Sequence, residues 1–224
     1  MLALMTILTF IVFISLDYFL SRRRAEQTAP AMEVVPEPVL AAAPVAEPVW
    51  VAGYEMPQDL HYHPGHVWAR PVGRDLVDVG MDDFARRLVG KADSIDLPKV
   101  GDWVNQGAPA FDIAANGRTA HLVSPVSGKV VAVNKHADPN DPYRRGWLCR
   151  IRDFALADNL RNLLSGSLAL RWMEDSRKQL EVQLMNLSGS VLQDGGTPSP
   201  DFTRHLRAAD WNHLAEEFFL VRQD

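Results

Sequence analysis

The stretch that decides the reading of this chain is DIAANGRTAHLVSPVSG, residues 112–128. Asn116-Gly117 stands between two segments in which apolar and polar side chains alternate, with Ile113 and Ala115 before it and Ala120 and Leu122 after it. A type I′ turn needs positive φ at both central residues, and Asn-Gly meets that need at the lowest steric cost. The sequence therefore predicts a tight two-residue hairpin whose tip carries nothing reactive. A hairpin shaped for presentation presents no functional group.

Outward from the hairpin, glycines at 65, 73, 80, 90, 101, 107, 117 and 128 separate short apolar runs such as 67–69, 76–79 and 130–133. Short strands at close spacing with turn signals between them predict a small sandwich or barrel. One helix is expected at 82–89, with Phe84, Ala85 and Leu88 on one side. His61, His63 and His66 fall within six positions, a spacing through which neutral imidazoles can ligate a metal. Pro64-Gly65 forces a turn between them, and no neighbouring cysteine or carboxylate completes a set, so the expectation is surface or capping histidines and no metal. Ser124 and Ser127 sit in a turn motif without a Gly-x-Ser-x-Gly elbow. Asp82, Asp83 and Asp93 stand at helix starts and turns, where aspartate caps. No glycine-rich phosphate loop is present. Neither a catalytic residue nor a bound cofactor is expected.

The order of His66-Val67-Trp68, Val79-Gly80, Phe84-Ala85, Leu88-Val89-Gly90, Leu97-Pro98-Lys99-Val100-Gly101, Ser124-Pro125-Val126-Ser127-Gly128, Asp141-Pro142-Tyr143 and Gly146-Trp147-Leu148 resembles the H protein of the glycine cleavage system. The resemblance covers roughly residues 60–155 in one register. It implies a mainly β fold with some α, the lipoyl-type barrel-sandwich hybrid, in which two small antiparallel sheets pack face to face. It also implies a test of function. In that family a lysine at a hairpin tip carries lipoate and stands eight positions before the proline of the Ser-Pro-x-Ser-Gly segment. Here that proline corresponds to Pro125 and the tip position to Gly117, while Ala114 stands in the place of the family's glutamate. Glycine has no side chain to acylate, and no lysine lies between Lys99 and Lys129.

The remaining segments concern location. Residues 1–20, MLALMTILTFIVFISLDYFL, contain Asp17 as their only charged side chain and lead into Ser21-Arg22-Arg23-Arg24. About twenty apolar residues at roughly 1.5 Å each span a bilayer core, and arginines after the span place the amino terminus outside and the bulk of the chain in the cytoplasm. The segment lacks the flanks of a cleaved signal, so an uncleaved single-pass anchor in a bacterial inner membrane is expected. Asp17 and Tyr18 then sit at the interface or against a neighbouring membrane helix. The net charge of −5 and the absence of a basic stripe exclude a nucleic-acid partner. The single cysteine, Cys149, excludes an internal disulfide and reads as a buried strand residue.

After the β unit the chain continues with a helical pattern over 154–184, in which Leu160, Leu163 and Leu164, then Leu168, Trp172 and Met173, recur as a stripe at three- and four-residue steps, with a break or a cap at Ser165-Gly166-Ser167, then a loop over 186–200 and a cap at Ser199-Pro200. Trp211, Leu214, Ala215, Phe218 and Phe219 form one full apolar stripe, with Asn212, Glu216 and Glu217 facing away. Two destinations are open to it, the chain's own β domain or a partner subunit. In the second case Trp211, Leu214, Phe218 and Phe219 join Asp17 and Tyr18 as partner contacts.

The sequence thus divides into a transmembrane anchor (1–24), a Pro/Ala-rich linker (25–57), an H-protein-like unit (58–155) and a helical extension (156–224). The expected role is a non-catalytic, non-lipoylated accessory subunit that stabilises a larger membrane complex of respiratory, photosynthetic or transport type. Its expected partners are integral membrane subunits, with no small-molecule substrate. The alternative is a lipoate-dependent carrier or decoy in glycine cleavage or related one-carbon or electron-transfer metabolism.

Overall fold

In a computed structural model of the chain, the described residues are 49–188, 203 and 206–222. The expected span at 1–20, with Asp17 and Tyr18, the linker up to residue 48 and the Ser199-Pro200 cap lie outside them. Among the described residues no helix is long and apolar enough to cross a membrane. In chain order the elements are β1 (Val49–Val51), β2 (Tyr54–Met56), β3 (His61–His63), β4 (Val67–Pro71), β5 (Leu76–Met81), α1 (Asp83–Val89), β6 (Ser94–Asp96), β7 (Trp103–Val104), β8 (Pro109–Ala115), β9 (Arg118–Val123), β10 (Gly128–Val133), β11 (Trp147–Arg152), α2 (Leu156–Arg161), α3 (Gly166–Ser188) and α4 (Ala208–Phe219).

The strands are short because turn residues interrupt them, and they pair antiparallel throughout. Six form a sheet in the order β3-β4-β5-β11-β10-β7, three form a second in the order β6-β8-β9, and β1-β2 is a separate hairpin. Val77, Val79, Val130 and Ile151 from the larger sheet and Phe111, Ile113, Ala120 and Leu122 from the smaller belong to one buried cluster. The fold is therefore mainly β with helices added, as expected. Cys149 is fully buried in β11, where loss of solvent pushes its thiol well above the usual range and leaves it unreactive.

The helix expected at 82–89 forms because Asp82 caps it, its Oδ1 accepting from the Ala85 N–H at 2.7 Å. Gly90 follows at φ 80°, a conformation that suits glycine and ends the helix. The expected linker, by contrast, ends before residue 57. Ala52 and Gly53 take φ values of 49° and 86°, which closes β1 on β2 as a two-residue hairpin. Tyr54 and Met56 are buried, the Tyr54 ring lying 5.2 Å from Phe84 with the Arg87 guanidinium 4.8 Å over it. The Tyr143 hydroxyl accepts from the Asp83 N–H at 2.9 Å and donates to the Glu55 carbonyl at 2.6 Å, which ties this hairpin to α1.

The helical pattern after the β unit is interrupted where expected, and its end is revised. The break falls at 162–165, where Leu164 exchanges backbone hydrogen bonds with Tyr62, and α3 then runs on to Ser188 through the start of the expected loop. Its buried side chains are Ala169, Met173, Ser176, Leu180 and Leu184, while Leu168, expected in the stripe, faces solvent. Of the two destinations open to the last stripe, the structure shows the first. Trp211, Leu214, Ala215, Phe218 and Phe219 are all buried within this chain, so Trp211, Leu214, Phe218 and Phe219 do not form an exposed partner surface. The helix ends on Leu220 at φ 58°.

Candidate functional site

The β8–β9 hairpin is built as its sequence dictates. Asn116 and Gly117 have φ values of 53° and 73°, the left-handed values a type I′ turn demands. Burial alternates along β8, with Phe111, Ile113 and Ala115 inward. Counting outward from the turn gives the register Ala115↔Arg118, Ala114↔Thr119, Ile113↔Ala120 and Asp112↔His121. Asn116 and Gly117 are exposed, and a Cβ added to Gly117 meets no atom within 4 Å. The Asn116 N–H donates to Asp93 Oδ2 at 2.9 Å, so the tip is held as well as tight.

Gly117→Ala is accordingly expected to lower stability by roughly 1–2 kcal/mol through the left-handed backbone alone, with the fold retained. Chemical denaturation checks this, and a loss several times larger would mean that the tip makes contacts the geometry does not contain.

The C-terminal extension grips this hairpin next to its turn. Arg118, one residue past the turn, donates through Nη1 to the Thr203 carbonyl at 2.9 Å and through Nη2 to the Leu206 carbonyl. Its guanidinium lies 5.8 Å from the Trp211 ring. The end of α4 comes close to the turn after β3, since a Cβ on Gly65 would stand 3.0 Å from the Phe219 carbonyl. Residues 203–219 therefore fix the hairpin from behind.

The three histidines do not converge on a metal. His63 and Val67 close a three-residue turn, Pro64-Gly65-His66, whose last residue is left-handed at φ 59°. Into the core, His66 reaches Asp82 Oδ2 with Nδ1 at 2.8 Å, and its ring lies 4.0 Å from Phe84, 4.6 Å from Trp172 and 6.0 Å from Phe218. His63 Nδ1 accepts from the Gly65 N–H at 3.0 Å. Among the described residues no three of His, Cys, Asp and Glu are grouped to hold an ion. The histidines serve the fold: one seats α1 against the last two helices, and another closes a turn.

Burial, with the neighbouring His66, pushes the pKa of His63 from 6.5 down to about 4, and burial lowers that of His61. Between those values the unfolded chain takes up a proton that folded His63 refuses, so stability falls as pH drops from 6.5 towards 4. His63→Gln is expected to flatten the pH dependence of the melting temperature in that window. An unchanged slope would contradict the assignment.

Two acid–imidazole pairs escaped the sequence reading, His66–Asp82 and His121–Asp112, the latter with Nδ1 and Oδ1 2.7 Å apart across the hairpin. The second was available by counting outward from the Asn116-Gly117 turn; the first continues the β4–β5 register one step past Val67↔Met81, but the 72–75 connection between those strands carries no such turn signal. Ser124 and Ser127 are absorbed by structure. Ser124 Oγ donates to the Val126 carbonyl at 2.7 Å, and Ser127 Oγ accepts from the Gln106 N–H at 2.9 Å. Gln106 Nε2 in turn donates to the Pro125 and Asn159 carbonyls, which pins the Ser-Pro-Val-Ser-Gly turn to α2.

Residues 60–176 match the family model described as glycine cleavage H-protein. The chain belongs to the glycine cleavage H-protein family. Its H-protein unit is 40% identical over 104 residues to the glycine cleavage system H protein of Rubrobacter xylanophilus, covering 44% of this chain and 82% of that protein. It is 36% identical over 104 residues to the H protein of Mycobacterium bovis, covering 44% and 78%. A crystal structure of a glycine cleavage system H protein from Mycobacterium marinum aligns with 31% identity over 45% of this chain and 87% of that one, with a TM-score of 0.41. The H-protein match ends inside α3, so α4 and the segment that grips Arg118 lie beyond it.

Proposed function

We propose that this chain is an H-protein-type docking subunit that carries no lipoyl group, held at the cytoplasmic face of a bacterial inner membrane by residues 1–20. There it stabilises a larger membrane complex of respiratory, photosynthetic or transport type. The observation that carries the reading is Gly117 at the tip of the hairpin, the position to which the resemblance assigns the lipoyl lysine. Three features support it. The H-protein framework is kept across 60–176, the tip has no side chain to acylate, and the extension holds the hairpin by Arg118. A carrier needs a long arm on a freely presented tip; this chain has a clamp behind a bare one. The run Arg22-Arg23-Arg24 after residues 1–20 supports the location. The role is non-catalytic: His63, His66, Ser124 and Ser127 are engaged in turns and core contacts.

The second reading, a lipoate-dependent carrier or decoy in glycine cleavage or related metabolism, is favoured by the family match itself. Mild detergent extraction of native membranes and purification through this chain separate the two. The docking reading expects a stoichiometric complex containing integral membrane proteins. Recovery of soluble glycine-cleavage components alone would overturn it in favour of the second.

A further inference from the structure

The apolar stripe of α4 is seated on β9 and α3, yet the ends of the helix are poorly held. Arg207 precedes the first residue and makes no side-chain bond to the first turn, where a Ser, Thr, Asp or Asn would satisfy an open N–H. One turn further on, Trp211 is 3% exposed, and its Nε1–H finds no acceptor among the described residues. A buried donor without a partner has lost its water and keeps the full cost of that loss.

At the other end, Phe219 is fully buried and its carbonyl lies against Gly65, where an added Cβ would stand 3.0 Å from it. The chain leaves this contact by turning left-handed at Leu220, with φ 58° and ψ 25°. In that conformation the Cβ of an L-residue crowds the following carbonyl, which is why glycine usually fills such a cap. The α1 helix follows the rule with Gly90; α4 has a leucine instead.

Backbone strain persists where the surrounding structure over-determines it. His66 is also left-handed, but its bond to Asp82 and the rings of Phe84 and Trp172 enclose it. The Leu220 side chain is 54% exposed and has no such enclosure. Only the seating of α4 holds its backbone left-handed, so unseating the helix relieves the strain.

The same segment carries the hold on the hairpin. The Thr203 and Leu206 carbonyls accept from Arg118, and the Trp211 ring lies beside its guanidinium. When α4 leaves, Arg118 loses these partners together, and the rings of Phe84 and His66 lose Phe218.

From the strained cap, the orphaned indole N–H and the shared hold on Arg118, we infer that α4, with Thr203, Leu206 and Leu220, is a latch. It opens as a unit before the sheets unfold, and in opening it frees the β8–β9 hairpin. Leu220 sets how readily it opens. The latch lies beyond the family match, which ends at residue 176, and it works in the same way whatever the hairpin tip carries.

Hydrogen exchange of the full-length chain in rising, sub-denaturing urea tests this. The amides of α4 are expected to be at least tenfold less protected than those of β5 and β11, and to exchange through an opening of weak urea dependence, whereas the strands wait for global unfolding. Leu220→Gly should raise the protection of α4 about fivefold, the left-handed penalty less the extra freedom of glycine in the open chain. Arg118→Met, which keeps the apolar stem and removes the donors, should lower it at least tenfold. Equal protection and urea dependence in α4 and the strands, a Leu220→Gly chain no better protected than the native one, or unchanged α4 protection in Arg118→Met would each overturn the latch.

Discussion

Phe218→Asp is expected to unseat α4 and lower the stability of the whole β unit by about 4 kcal/mol or more. Removing a buried phenylalanine side chain alone costs about 3–5 kcal/mol, and a carboxylate left without a partner in the same place adds to that. Phe218 is 3% exposed, with its ring 5.0 Å from Phe84 and 6.0 Å from His66. A new carboxylate would enter an aromatic stack that already contains one buried acid, Asp82, and would compete with it for His66. The effect should therefore reach α1, which Asp82 caps, and not only the tail. Denaturant unfolding read by circular dichroism measures the loss, and limited proteolysis shows whether residues 203–219 detach first. His213→Ala, on the exposed side of the same helix, is the control and should stay within about 0.5 kcal/mol of the native chain. A Phe218→Asp chain as stable as this control would mean that α4 does not hold the β unit.

Gly128→Ala is expected to be nearly as damaging, although it adds a single methyl group. A Cβ there would lie 2.4 Å from the Arg152 carbonyl oxygen and 2.7 Å from Ile151 Cγ2. The first obstacle is backbone, so no rotamer change relieves it. The β10–β11 pairing at Lys129↔Arg152 and Val130↔Ile151 must open instead, at a cost of about 3 kcal/mol, the upper part of the range for overpacking. The two glycines of the opening stretch thus differ in kind. Gly117 is required only by its φ and faces open space; Gly128, at φ 156°, is required above all by a close approach. The midpoints of urea unfolding for the two alanine variants should separate widely, with Gly128→Ala the lower, and equal midpoints would refute the distinction.

That contrast also shows what the sequence made legible. The β8–β9 hairpin was readable because its causes are local: Asn116-Gly117 sets the turn, and alternation sets which side chains point inward. The α1 helix was readable for the same reason, through the Asp82 cap and the Gly90 stop. The β1–β2 hairpin was not. Its strands are three residues each, and prolines at 44, 48 and 57 give the whole segment the composition of a spacer. The stripe Trp211–Phe219 disclosed that one face of α4 is buried but not what buries it. The answer lies in β9 and α3, against which the helix packs, and in His66 and Phe84, whose rings meet Phe218; these come from distant segments that meet only in the folded chain. The candidate site divides in the same way. Its bare tip is written in the sequence, whereas the Arg118 clamp behind it depends on carbonyls more than eighty positions away.

The central claim is that this H-protein-type chain works without a lipoyl arm. The most direct measurement is the intact mass of the chain purified from its native membranes, with a Gly117→Lys variant expressed in the same cells for comparison. The native chain should have the mass of its unmodified sequence, whatever the fate of the variant. A lipoyl increment on the native chain would contradict it and restore the carrier reading.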